Sequence, residues 1–83
     1  TLRRFLAGLL RRRREAPGQP MDLEELLAAG WPGERVLPRA ASNRVYVAIA
    51  TLRKLGLRDA LISREDGYLL DPDLAIVGRF MEA

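Results

Sequence analysis

The side chains that most often do chemistry are missing from this sequence. It has no cysteine and no histidine. That removes thiol nucleophiles, thiolate metal sites and disulfides, together with the commonest general base and metal ligand. Catalysis would have to rest on carboxylates, lysine or tyrosine. Glu24 and Glu25 fall on a helix surface with no base or metal ligand paired to them. The residues therefore point to a protein that is not an enzyme and needs no cofactor.

What remains is arginine. Fourteen of the 83 residues are lysine or arginine against 11 aspartate or glutamate, for a net charge of +3, and Lys54 is the only lysine. The rigid planar guanidinium matches phosphate oxygens and guanine edges, where an ammonium acts as a point charge. This composition favours an anionic partner, although high-GC coding also enriches arginine. The run Arg11, Arg12, Arg13 and Arg14 has two readings, a solvated helix end or a contact to phosphate or a partner. Tyr46 likewise reads as a packed or exposed aromatic, or as a contact to a base or sugar.

The elements that must position these groups follow from apolar spacing. Residues 2–14 place Leu2, Phe5, Leu6, Leu9 and Leu10 on one helical stripe, with arginines mostly on the other face. Basic residues at the C-terminal end suit the helix dipole. Glu15-Ala16-Pro17-Gly18-Gln19-Pro20 stops that helix. Asp22 then caps a short second helix, with Glu25 completing a capping box and Met21 placed as a hydrophobic staple. Leu23, Leu26 and Leu27 form its buried face, and Gly30 ends it. In the connector over residues 31–41, Trp31, Val36 and Leu37 are expected to tuck into the core.

Ser42 is read as the cap of the longest helix. Val45, Ala48, Ile49, Leu52 and Leu55 form its inner stripe, and Gly56 sits at its C′ position. Asn43, Arg44, Tyr46, Val47, Ala50, Thr51, Arg53 and Lys54 fall on or near the remaining face. Apolar Val47 and small Ala50 there imply either a second buried flank or a surface meant to touch something. Residues 57–60 add one more helical turn. Leu61-Ile62-Ser63 and Tyr68-Leu69-Leu70 flank Arg64-Glu65-Asp66-Gly67, whose Asp-Gly pair marks a hairpin turn. Asp71-Pro72 then opens a last helix carrying Leu74, Ile76, Val77, Phe80 and Met81. Gly78 and the β-branched pair Ile76-Val77 count against that helix, and an extended tail is the alternative.

The order is helix, helix, helix, hairpin. The fold class expected is mainly α with a small β-hairpin, a three-helix core followed by a wing, which is the winged helix-turn-helix plan. A single domain over residues 1–83 accounts for the length. Because it begins at Thr1 rather than Met, it reads as a piece excised from a longer protein. No apolar run reaches the ~20 residues a membrane span needs, and no secretory signal is present, so a cytoplasmic location is expected. The leucine stripe of the first helix is needed for the core, so no membrane-surface role is expected either. Nothing in the sequence sets an oligomeric state.

The stretch Asn43-Arg44-Val45-Tyr46-Val47-Ala48-Ile49-Ala50-Thr51-Leu52-Arg53-Lys54-Leu55-Gly56 resembles the recognition helix of OmpR-type response regulators. It is also similar to the N-terminal domains of SARP-type antibiotic regulators. Their pattern is an asparagine followed by V-x-V-x-I-x-x-L-R-K-x-L-G, which Val45, Val47, Ile49, Leu52, Arg53, Leu55 and Gly56 follow with one residue fewer before the leucine-glycine. Met21-Asp22-Leu23-Glu24-Glu25-Leu26-Leu27 and Trp31-Pro32-Gly33 resemble the second helix and its exit. Leu61-Ile62-Ser63 and Gly67-Tyr68-Leu69-Leu70-Asp71 resemble the wing. The resemblance spans about residues 2–71.

It implies double-stranded DNA as the partner and a role as output domain of a bacterial transcriptional regulator. The third helix would enter the major groove, with Asn43, Arg44, Tyr46, Ala50 and Thr51 toward bases or adjacent phosphates. Arg53 and Lys54 would lie near the backbone and Arg64 near the minor groove. Two features depart from the family. Glu65 and Asp66 occupy a wing tip that is usually arginine- and glycine-rich, and Ala50 stands where polar or basic residues are common. They motivate a second reading, a winged module that docks onto a protein partner or neighbouring domains of its parent chain.

Overall fold

A computed structural model describes residues 1–74. Three helices lead into a hairpin: α1 (Leu2–Glu15), α2 (Leu23–Gly30), α3 (Pro38–Leu52), β1 (Leu61–Arg64) and β2 (Gly67–Leu70). The mainly helical fold with one small antiparallel hairpin is the coarse architecture the sequence implies. The helix expected after Asp71-Pro72 lies outside the described residues beyond Leu74.

Each helix forms for local reasons and is then held by burial. In α1, Phe5, Leu6 and Leu9 are buried and Arg12, Arg13 and Arg14 occupy the last turn. Helix α2 carries the capping box in full: the Asp22 carboxylate accepts from the Glu25 amide at 2.8 Å, and Glu25 accepts from the Asp22 amide at 3.1 Å. Asp22→Ala is expected to cost about 1 kcal/mol, the usual loss of an N-cap side chain, read as a lowered urea midpoint with an unchanged slope. Helices α1 and α2 approach closely at Gly8, where an added Cβ would stand 2.6 Å from the Ala29 Cβ.

Helix α3 begins four residues before the expected cap. Leu37 is the N-cap without a capping side chain and Pro38 occupies the first turn. Proline's missing N–H costs nothing there and its fixed φ suits the helix. Ser42 therefore sits inside the helix. Ala41, Val45, Ala48, Ile49 and Leu52 form the buried stripe. After Leu52 the helical path is broken by a kink at Gly56, whose φ is 118°, a conformation that glycine adopts without a Cβ penalty.

The kink at Gly56 goes with a correction to one expected core position. Leu55 does not continue the inner stripe and is 53% exposed, while Leu57 is buried in its place. The connector is also only partly as expected. Trp31 packs against the core with its ring 5.8 Å from that of Phe5. Val36 is half-buried, and Leu37 is 78% exposed.

In the hairpin, Leu61 pairs with Leu70, Ile62 with Leu69, Ser63 with Tyr68 and Arg64 with Gly67. Residue 21 adds a single antiparallel bridge to this pair: the Met21 amide donates to the Tyr68 carbonyl at 2.8 Å, and the Tyr68 amide donates back at 3.0 Å. The segment before α2 thereby ties the hairpin to the helices. Asp71 N–H donates to the Ala60 carbonyl at 2.7 Å and closes the hairpin base. One core of Phe5, Leu9, Leu26, Val45, Leu52, Leu61 and Leu70, all buried, joins all these elements.

The arginine run divides by position. Arg12 pairs with Glu25 and donates to the Pro20 carbonyl at 2.8 Å. Arg13 donates to the carbonyls of Asp71 at 3.0 Å and Pro72 at 3.3 Å, and also to that of Leu74. These two fasten α1 to the loop before α2 and to the segment after the hairpin. Arg11 and Arg14 point to solvent.

Candidate nucleic-acid interface

With Ala41, Val45, Ala48, Ile49 and Leu52 turned inward, the helical phase turns Arg39, Asn43, Tyr46, Val47 and Ala50 outward. Tyr46 is 59% exposed and Val47 is 57% exposed. These five residues form a continuous exposed line along α3, with Ala40 also exposed beside it.

Arg44 lies on one flank of that face and is already engaged. Its Nη1 is 2.8 Å from Oε1 of Glu34, and its guanidinium carbon stands 5.1 Å from the Trp31 ring centroid. Exposed ion pairs of this kind are weak, about 0.2–1 kcal/mol, and an arginine over an indole adds about 0.5–1 kcal/mol at an exposed site. Arg44 is thus held in place but remains displaceable. Beside it runs a shallow depression of about 470 Å3, lined by Leu2, Trp31, Asn43, Arg44, Val47 and Thr51. The Thr51 hydroxyl donates back to the Val47 carbonyl at 2.8 Å.

The other flank faces the hairpin across a groove of about 320 Å3. Its walls include Leu23, Ser42, Tyr46 and Tyr68, and its rim carries Arg64, Glu65 and Asp66. The exposed side chains of Arg64, Glu65 and Asp66 put one positive and two negative charges at the tip. Arg53 is half-buried and Lys54 exposed at the C-terminal end of α3.

Of the residues expected to contact nucleic acid, Asn43, Tyr46 and Ala50 therefore share one ridge. Arg44 and Thr51 lie on its Trp31 flank, Arg53 and Lys54 at its end, and Arg64 across the groove. Sequence reasoning missed Arg39, which is exposed one helical turn before Asn43. The signal for it was Pro38, a first-turn residue that places Arg39 inside the helix. It also missed Glu34 and Trp31 as the partners of Arg44, and no local pattern announces that contact.

Among the described residues no group of three or more carboxylates is placed to hold a metal ion, and no helix is long and apolar enough to cross a membrane. The features together define a small helical domain with a hairpin and one uncovered helix face. Models of known protein families, curated proteins and solved structures were each compared with the chain, and none matches it.

Proposed function

We propose that this is a winged helix-turn-helix domain of the OmpR type that binds double-stranded DNA through α3, as the output domain of a cytoplasmic bacterial transcriptional regulator. The observation that carries the reading is the uncovered ridge of α3 beside a hairpin, in the element order that this plan requires. The Met21–Tyr68 bridge supports it, since it fixes the hairpin against the helices and so sets one orientation between α3 and the wing. An α-helix fits the major groove, and the exposed Lys54 just past the C-terminal end of α3 supplies phosphate-seeking charge.

Fluorescence anisotropy with a labelled duplex tests this directly. Binding is expected in low salt, weakening steeply as salt rises, because neutralised phosphates release counterions. Lys54→Ala should weaken binding to all duplexes alike and lower the salt slope by about 1. If no duplex binds at low ionic strength, the reading fails.

A second reading has its own support. The ridge carries Val47 and Tyr46 at its centre, with exposed Leu37 and Leu55 beyond it, and the hairpin tip carries two carboxylates. A protein partner or a neighbouring domain of the parent chain would fit such a surface. Chromatography of the domain with its parent chain's other domains would show a complex in that case, together with no duplex binding.

A further inference from the structure

We infer that Arg39 and Asn43 are the base-reading pair of this domain, Arg39 selecting a guanine and Asn43 an adenine. The inference rests on the DNA-binding reading and identifies what that surface reads. Three observations single out this pair. Arg39 and Asn43 are one helical turn apart on the uncovered ridge and border the same surface depression, with Pro38, Ser42 and Tyr46. Both are exposed, and no hydrogen bond or ion pair among the described residues engages the side chain of either one. Arg44, the other arginine on α3, is by contrast held by Glu34 and Trp31.

The chemistry then follows from donor geometry. A guanidinium matches the O6 and N7 acceptors of guanine, and a carboxamide matches the N7 acceptor and N6 donor of adenine. Helix-turn-helix proteins use the N-terminal residues of the recognition helix on base edges, and the early start of α3 puts Arg39 in its first turn. Four residues rise about 6 Å along a helix, which is close to two base steps of about 3.4 Å. The guanine and the adenine should therefore lie within about two base pairs of one another. Ala50, Val47 and Tyr46 farther along the ridge offer apolar contact, which suits a thymine methyl.

The test is selection of random duplexes by the 83-residue chain, repeated with Arg39→Ala and Asn43→Ala. The wild type should enrich a short motif containing both bases. Arg39→Ala should lose the preference for guanine and Asn43→Ala that for adenine, each by about tenfold, with the other position kept. Both substitutions are on the surface, so thermal melts should stay within the small range typical of such sites. Motifs unchanged in both variants overturn the pairing. So does uniform weakening on every duplex by Arg39→Ala, which would make Arg39 a phosphate contact. Failure of the wild type to bind or enrich any duplex overturns the DNA-binding reading, and the pairing with it.

Discussion

Gly67→Ala is expected to destabilise the domain by about 3 kcal/mol, far more than alanine at most surface turns. Gly67 has φ 151°, and a Cβ built on it would drive into the Met21 carbonyl. That carbonyl accepts the Tyr68 amide at 3.0 Å, in the bridge that joins the hairpin to the start of α2. The strain of a side chain at such a φ is about 1–2 kcal/mol, and losing the two bridge hydrogen bonds adds about 1 kcal/mol for each. The clash involves backbone, which has no alternative rotamer to escape into. Gly18→Ala is the control, since Gly18 also has a positive φ, 86°, but open space around it. Urea denaturation should show Gly18→Ala losing only the backbone strain. Equal midpoints for the two variants would mean that the close approach at Gly67 contributes nothing.

Where structure follows from neighbours in sequence, it was legible. The capping box of α2 needs only residues 22 and 25, and the hairpin turn only Asp66 and Gly67. The inner stripe of α3 is spaced by one helical period. The errors lie where two local signals compete or where distant segments meet. Ser42 and Pro38 both mark a helix start, and Pro38 prevails because Arg39, Ala40 and Ala41 are compatible with helix and Ala41 has a buried site to fill. Leu55 stays on the inner stripe only if the helix runs on unbroken, and the kink at Gly56 ends that phase so that Leu57 takes the buried place.

The candidate site was legible in its composition and only partly in its arrangement. The outward positions of Asn43, Tyr46 and Ala50 follow from helical phase alone. The engagement of Arg44 does not, because Glu34 and Trp31 reach it from a loop with no periodicity. The arginine run is the clearest case of two readings that composition cannot separate. Arg12 and Arg13 turn inward to carbonyls and a carboxylate contributed by residues as distant as 74, so half of the run is neither a solvated helix end nor a free contact surface but is occupied by the fold itself. The positive charge left on the outer face of α3 is correspondingly sparse, and under the proposed DNA-binding reading sequence choice rests on a few side chains of α3 instead of on a broad basic field.

Phe5→Ala is expected to bring the domain close to its unfolding threshold and to disturb the Trp31–Arg44 flank of α3 from beneath. Phe5 is fully buried, and removing such a ring costs about 3–5 kcal/mol through lost transfer energy and a residual cavity. At about 0.05–0.15 kcal/mol per residue, a chain of this length has little more than that to lose. The thermal midpoint should fall by roughly 12–40 °C, taking about 4–8 °C per kcal/mol for a domain of this size. The cavity would open beside Trp31, whose ring meets that of Phe5 at a 52° tilt and also carries the Arg44 guanidinium. Trp31 is the only tryptophan, so its fluorescence reports this site and no other. A red-shifted emission is expected for Phe5→Ala. Phe5→Leu, which keeps most of the volume, should stay folded while still loosening the Trp31 ring. In that variant the Arg44 guanidinium loses its fixed platform, so Glu34 alone should hold it. A Phe5→Ala protein that melts within a few degrees of the wild type would show that the core does not depend on this ring.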